Sequence, residues 1–283
     1  MNRVLVTGAA GSLGRALTAR LQAIGAEVHC TDRFSKEGPR WRECDLADSD
    51  AVGRLLAEVC PDQIFHLAGT FSNEFETDFR NNVLSSRNLM DSLCQLGYKV
   101  RILLVGSAAE YGLVSADENP IREDRPLMPV SIYGWSKASQ TLLMEYYHRV
   151  RGIDVVMARL FNLLGAGLSS RLFPGHVREQ IAKLRCGEIR KIAVGGLESV
   201  RDYLPVEQAA SMMEAVMRLG NPGEIYNVGS GTPLRMRDLL ETILAEECLG
   251  WEQVEVQPRP VTTAIDIPVI YAELSKFRSL RTA

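Results

Sequence analysis

Tyr133 and Lys137 stand four residues apart in the stretch YGWSK, a spacing that puts a phenol and an ammonium on one face of a helix. A free tyrosine titrates at about 10 and is a poor base at neutral pH. A lysine ammonium close by would favour the phenolate and bring Tyr133 toward a useful acid/base range. The plainer alternative is an amphipathic helix surface with no chemistry, so the choice depends on what surrounds the pair.

Near the N-terminus, TGAAGSLG places Gly8, Gly11 and Gly14 in a turn after the strand-like run RVLVTG and before the helical pattern SLGRALTARLQAIG. Glycines let the backbone approach a pyrophosphate, whose charge then sits at the positive N-terminus of the helix. Asp32 closes the second strand-like run, EVHCTD, where a carboxylate can accept hydrogen bonds from a ribose diol. The spacing is G-x-x-G-x-x-G, so the turn alone says less than the turn with its strand, helix and acid in place.

These residues need a frame. DQIFHLAG and RILLVGS continue the strand series, separated by helical stretches at 48–59 and 79–96, and DVVMARL and EIYNVG read as later strands. Strands joined by helices require right-handed crossovers and so a parallel, doubly wound α/β sheet of Rossmann type. After residue 160 the alternation breaks into Gly- and Pro-marked loops with helices expected at 174–186 and 235–248. The expected division is a dinucleotide-binding domain over 1–160 and a smaller substrate-binding lobe over 161–283, interleaved with the sheet.

Composition narrows the function classes. With 283 residues, 46% of them hydrophobic, the chain is long enough for a full catalytic core. A net charge of -3 provides no basic stripe, so neither nucleic acid nor an anionic membrane is the expected partner. The N-terminus enters a strand directly, without a signal-peptide layout, and no apolar run approaches a membrane span; a cytoplasmic protein is expected. The six cysteines contain no C-x-x-C and read as reduced, mostly packed thiols, and the four histidines show no metal spacing.

Taken in order, TGAAGSLG, HLAG (66–69), GSAAEYG (106–112), YGWSK (133–137), ARLFNLLGAG (158–167) and RDYLPV (201–206) resemble the extended short-chain dehydrogenase/reductase family, the NAD-dependent epimerase/dehydratase group acting on nucleotide sugars. That resemblance covers nearly the whole chain. It implies Ser107, Tyr133 and Lys137 as the catalytic set. Tyr133 would exchange a proton with a sugar oxygen while hydride passes between that carbon and the nicotinamide. Ser107 would hydrogen-bond the same oxygen, and Lys137 would also hold the nicotinamide ribose. The implied cofactor-binding set is Gly8, Gly11, Ser12, Leu13, Gly14, Asp32, Arg33, Asp45, Leu46, Leu67, Ala68 and Gly69, with Tyr133 and Lys137. Asp32 argues for NAD by repelling a 2'-phosphate, whereas Arg33 could pair with one, so NAD is expected and NADP stays open.

Dehydratases of the resembled family carry an acidic residue, often Asp-Glu, directly after the catalytic hydroxyl residue. Here Ala108 and Ala109 occupy those positions, and Glu110, one place later, is expected to point elsewhere. The C-terminal half is most similar to reductases of GDP-4-keto-6-deoxyhexoses. That similarity implies Asn162 and Arg201 at the nucleotide diphosphate, with Arg178 and Arg259 as further candidates and Ser107 and Ala108 beside the sugar. The expected activity is reduction of a nucleotide-linked 4-keto-6-deoxyhexose at C4. A 4-epimerase with tightly held NAD is the alternative, and a dinucleotide-sensing module that has kept the fold without catalysis ranks below both. The insertion TTA at 262–264 departs from related chains where they approach the diphosphate. SQTLLMEYYHRV (139–150) carries more large apolar residues than one buried stripe needs, and the resemblance implies a homodimer through this helix.

Overall fold

The computed structural model describes residues 2–34, 38–258 and 267–280; Arg259 and the TTA insertion lie outside the described residues. Seven strands form one parallel sheet: β1 (Arg3–Thr7), β2 (Glu27–Asp32), β3 (Trp41–Glu43), β4 (Gln63–His66), β5 (Arg101–Ser107), β6 (Asp154–Leu160) and β10 (Ile225–Val228), in the order β10-β6-β5-β4-β1-β2-β3. Strand order reverses between β1 and β4, the switch point at whose carboxyl edge ligands of such sheets bind. The register aligns Leu5 with Ile64, Ile64 with Ile102, and Ile102 with Val155, all fully buried. A sheet covered on both faces needs such continuous apolar strands, which is why RILLVGS reads as a run and not as an alternation.

Helices α1 (Ser12–Ala23), α2 (Ser49–Val59), α4 (Ser85–Gln95), α5 (Ile132–Arg151) and α7 (Val206–Leu219) cover that sheet, and the short α3 (Phe75–Asp78) lies against α5. Between α3 and α4 the chain takes a π-helical turn over Phe79–Leu84, so the single helix expected at 79–96 is two segments, this turn and α4. Helix α5 runs farther in both directions than the stretch that suggested it. Ser131 caps it by accepting from Gly134 N at 3.0 Å, and Gly152 ends it in the left-handed conformation at φ 67°. Helix α7 had no place in the sequence reading, although Glu207, Ser211, Glu214 and Arg218 mark a polar face opposite buried Ala209, Met213 and Val216.

Beyond Leu160 the chain rejoins the main sheet at β10 and also builds a separate hydrophobic core. This core lies among α6 (Phe173–Arg185), β8 (Ile192–Val194), β9 (Val200–Pro205), α8 (Met236–Glu246) and β12 (Val254–Val256), with Val177, Ile181, Leu240 and Ile243 at its centre. Strand β9 sits between β11 (Pro233–Arg235) and β13 (Val269–Ile270) and also pairs with β7 (Asn162–Leu164); β8 pairs with β12. Short helix α9 (Ser275–Ser279) follows. Buried Asp202 ties this region together by accepting hydrogen bonds from Ser230, Gly231 and Ala272.

Candidate active site

The glycine turn opens onto the switch point. Gly8 adopts φ +65°, and a Cβ there would meet Ala68 N at 2.7 Å, so only glycine lets the turn lie against the HLAG strand end. Gly8 and Gly11 border a trough of about 200 Å³ with Asp32, Arg33, Asp45, Leu46, Leu67, Ala68 and Gly69. Gly14 is buried in α1, and Ser12 turns away to donate to Ala166 O at 2.8 Å. Asp32 accepts Ala10 N at 3.2 Å and Arg33 N at 2.8 Å. Beside it the buried Thr31 hydroxyl, which also borders the trough, has no hydrogen-bond partner. A turn that admits no Cβ, a carboxylate and an unsatisfied hydroxyl at the end of β2 fit an adenosine ribose and pyrophosphate. Arg80, from the π-helical turn, bridges to Asp45 at 2.6 Å across the outer rim.

The trough continues, through shared Leu67, Gly69 and Thr70, into a cleft of about 670 Å³. Ser107, Ala108, Ala109, Tyr133, Lys137, Leu13, Asn162 and Arg201 all line this cleft. The β5 end brings Ser107 to it, and the first turns of α5 bring Tyr133 and Lys137. Gly134 makes that approach possible, since a Cβ there would meet Ala109 O at 2.5 Å. Burial pushes the Tyr133 phenol up to about 12, with the Glu110 and Asp78 carboxylates adding to the rise and the neighbouring Ser107 hydroxyl opposing it. Burial draws Lys137 down to about 8 against those same two carboxylates. Its ammonium is committed to Val105 O at 2.9 Å and Gln140 Oε1 at 3.1 Å. The expected lowering of the phenol by Lys137 is therefore not what the chain's own groups produce: the low-dielectric site disfavours both charges.

Glu110 points away from the cleft, into the core, where it accepts Ser107 N at 2.6 Å. Arg178 sits on the outer side of α6 and pairs with Glu246 at 2.9 Å and Glu247 at 3.1 Å; it lines neither the catalytic cleft nor the adjoining hollow of about 500 Å³ that holds Asn162 and Arg201. The assignment of Arg178 to the diphosphate is thus not supported by where its guanidinium lies. Among the described residues no group of three or more His, Cys, Asp or Glu could hold a metal ion, and no helix is long and apolar enough to cross a membrane.

Two cleft residues escaped the sequence reading. Phe71 sets its ring edge against Tyr133, centroids 4.8 Å apart at 85°, and Arg171 donates to Phe71 O at 2.9 Å. Buried Asp78 shapes this loop by accepting from Thr70, Ser72 and Asn73, and Asn73 Oδ1 accepts Tyr133 N at 3.3 Å. Neither TFSNEFE nor LSSRLFP has a period that would single out one residue. The burial and hydrogen bonds of Asp78 that shape the loop exist only in the folded chain.

The NAD dependent epimerase/dehydratase family matches residues 4–229, and the chain belongs to it. The GDP-6-deoxy-D-mannose reductase of Pseudomonas aeruginosa is 30% identical over 85% of this chain and 79% of that protein. A dTDP-glucose 4,6-dehydratase of Streptomyces antibioticus is 32% identical over 75% of this chain and 62% of its own length. Among solved structures, the RMD protein of Pseudomonas aeruginosa in complex with NADPH superimposes with TM-score 0.84 at 25% identity, covering 99% of this chain and 92% of that one.

Proposed function

We propose that this member of the NAD dependent epimerase/dehydratase family is an NAD(P)-dependent reductase of a nucleotide-linked 4-keto-6-deoxyhexose, acting at C4. The observation that carries the reading is one cleft that holds Ser107, Tyr133 and Lys137 and presents Ala108 and Ala109 where elimination of water would require carboxylates. Gly8, Gly11, Asp32 and the Thr31 hydroxyl would hold the dinucleotide. When bound, the nicotinamide supplies hydride. Tyr133 gives its proton to the oxygen that develops at C4, and a phenol raised to about 12 stays protonated, hence able to donate, across neutral pH. Ser107 donates to the same oxygen and steadies it. Asn162 and Arg201, joined by Arg171 at the mouth, offer donors and charge to a diphosphate. The region built on the separate core would serve the nucleotide sugar, and 1–160 with β10 and α7 would serve the cofactor.

The same reading extends to assembly. Trp135, Leu142, Tyr146 and Val150 are exposed on α5, with Leu142 and Val150 64% and 63% accessible, and Phe75 stacks on Trp135 at 5.1 Å. We propose that this stripe is covered by the same helix of a second copy, in a closed two-fold dimer.

Incubation with a panel of nucleotide hexoses and their 4-keto-6-deoxy derivatives, followed by NMR and cofactor absorbance, tests the activity. Stoichiometric consumption of reduced cofactor with a 4-ketosugar is the expected result. Interconversion of two unmodified hexoses without net absorbance change would make the protein a 4-epimerase, and binding of dinucleotide with no turnover would make it a sensing module.

A further inference from the structure

Lys137 does not meet the cleft unaided. A lysine ammonium can only donate, so the Gln140 atom 3.1 Å from it must be the amide oxygen, which turns Gln140 Nε2 toward Ser86 Oγ at 2.7 Å. Ser86 Oγ lies 2.6 Å from Asn82 O, a carbonyl that can only accept, and its single hydrogen goes there. It therefore accepts from both Gln140 and His66, whose Nε2 is 3.1 Å away and must carry the hydrogen. His66 Nδ1 is left as an acceptor for the Thr7 hydroxyl at 2.8 Å, and the Thr7 oxygen takes Ala68 N–H at 3.1 Å. Each hydrogen bond in the series has one allowed direction. Thr7, His66, Ser86 and Gln140 are sealed from solvent, and every one is satisfied.

We infer that Gln140 is the positioning residue for Lys137, locked by Ser86, His66 and Thr7 to the strand end that borders the cofactor trough. The inference rests on the functional reading above, in which Lys137 faces the nicotinamide ribose and Tyr133. Two of the three ammonium hydrogens go to Val105 O and Gln140 Oε1, and one remains for the cleft. Free rotation of that ammonium is thereby replaced by a single aim. The network holds and does not conduct: an amide oxygen passes no proton on, and the Ser86 hydrogen points away from Gln140. The charged and titratable groups around Lys137 are Glu110, Asp78, Tyr133 and His66, the last kept neutral by its burial and by the lysine itself.

The test titrates NADH and NADPH by fluorescence, across pH, into the wild type, Gln140→Met and Gln140→Glu, with circular dichroism to verify folding. Gln140→Met keeps volume but removes the acceptor, and cofactor affinity should fall about 3–10-fold. Gln140→Glu restores an acceptor, so affinity should return to within about twofold of wild type, while the added carboxylate moves the pH midpoint of binding up by about one unit or more. Wild-type affinity and midpoint in both folded variants would overturn the inference. Should Gln140→Met fail to fold, the Gln140→Glu midpoint decides alone, and an unmoved midpoint overturns it. These readouts need no sugar. A protein that turns over no nucleotide sugar yet shows the midpoint shift refutes the functional reading and leaves Gln140 in its role.

Discussion

Glu110 Oε2 and Arg159 Nε meet at 2.9 Å with both side chains sealed from solvent, directly beneath the strand end that carries Ser107. The same carboxylate accepts Ser107 N and the Thr141 hydroxyl, so one buried charge pair joins β5, α5 and β6 behind the cleft. The Tyr111 ring packs against the guanidinium, 4.7 Å from ring centre to its carbon. Glu110→Gln leaves Arg159 as an uncompensated buried charge and should cost about 3–5 kcal/mol. Urea unfolding at neutral pH measures it; a loss below about 1 kcal/mol would show that the pair is not what fixes Ser107.

Tyr133→Phe removes the proton donor and keeps the ring against Phe71. Turnover should fall about 10²–10⁴-fold with cofactor affinity nearly intact. Lys137→Met should damage both. Steady-state rates combined with cofactor titration separate the two, and near-normal turnover in Tyr133→Phe would end the role given to the phenol.

His66 predicts an acid limb of stability. Burial, reinforced by Lys137, pulls its pKa down to about 3 from 6.5. Between those values the unfolded chain binds the proton and the native chain does not, so stability falls as pH drops from about 6.5 toward 3. The total is on the order of 3–5 kcal/mol. Unfolding midpoints followed from pH 7 to 4 should decline in the wild type and decline less in His66→Gln; parallel slopes would refute this assignment.

Asp32→Ala should weaken NAD and improve NADP relative to it, since an acceptor for the ribose diol and a repeller of a 2'-phosphate go together. Titration of both cofactors checks it. Tighter NADP binding by the wild type would make Arg33 the dominant residue.

Leu142→Glu with Tyr146→Glu places charges in the exposed stripe of α5. Light scattering at micromolar concentration should give a dimer mass for the wild type and a monomer mass for the double variant. A monomeric wild type would refute the proposed assembly.

What the sequence determined by itself was local or periodic. The β-run, glycine turn and helix around Gly8, the acid at the end of β2, and the four-residue step from Tyr133 to Lys137 depend on backbone conformations and helix geometry acting over a few residues. Their order along the chain then settled a parallel sheet with its switch point beside the glycine turn. Tertiary structure decided what depends on contacts between distant positions. The sequence places Arg178 on an expected helix and Arg171 just before it but says nothing of their partners; one is paired with Glu246 and Glu247, and the other reaches Phe71, 100 residues away. The pKa values of Tyr133 and Lys137 likewise follow from burial beside Glu110 and Asp78. No spacing encodes such desolvation, because it arises only when separate segments exclude water together.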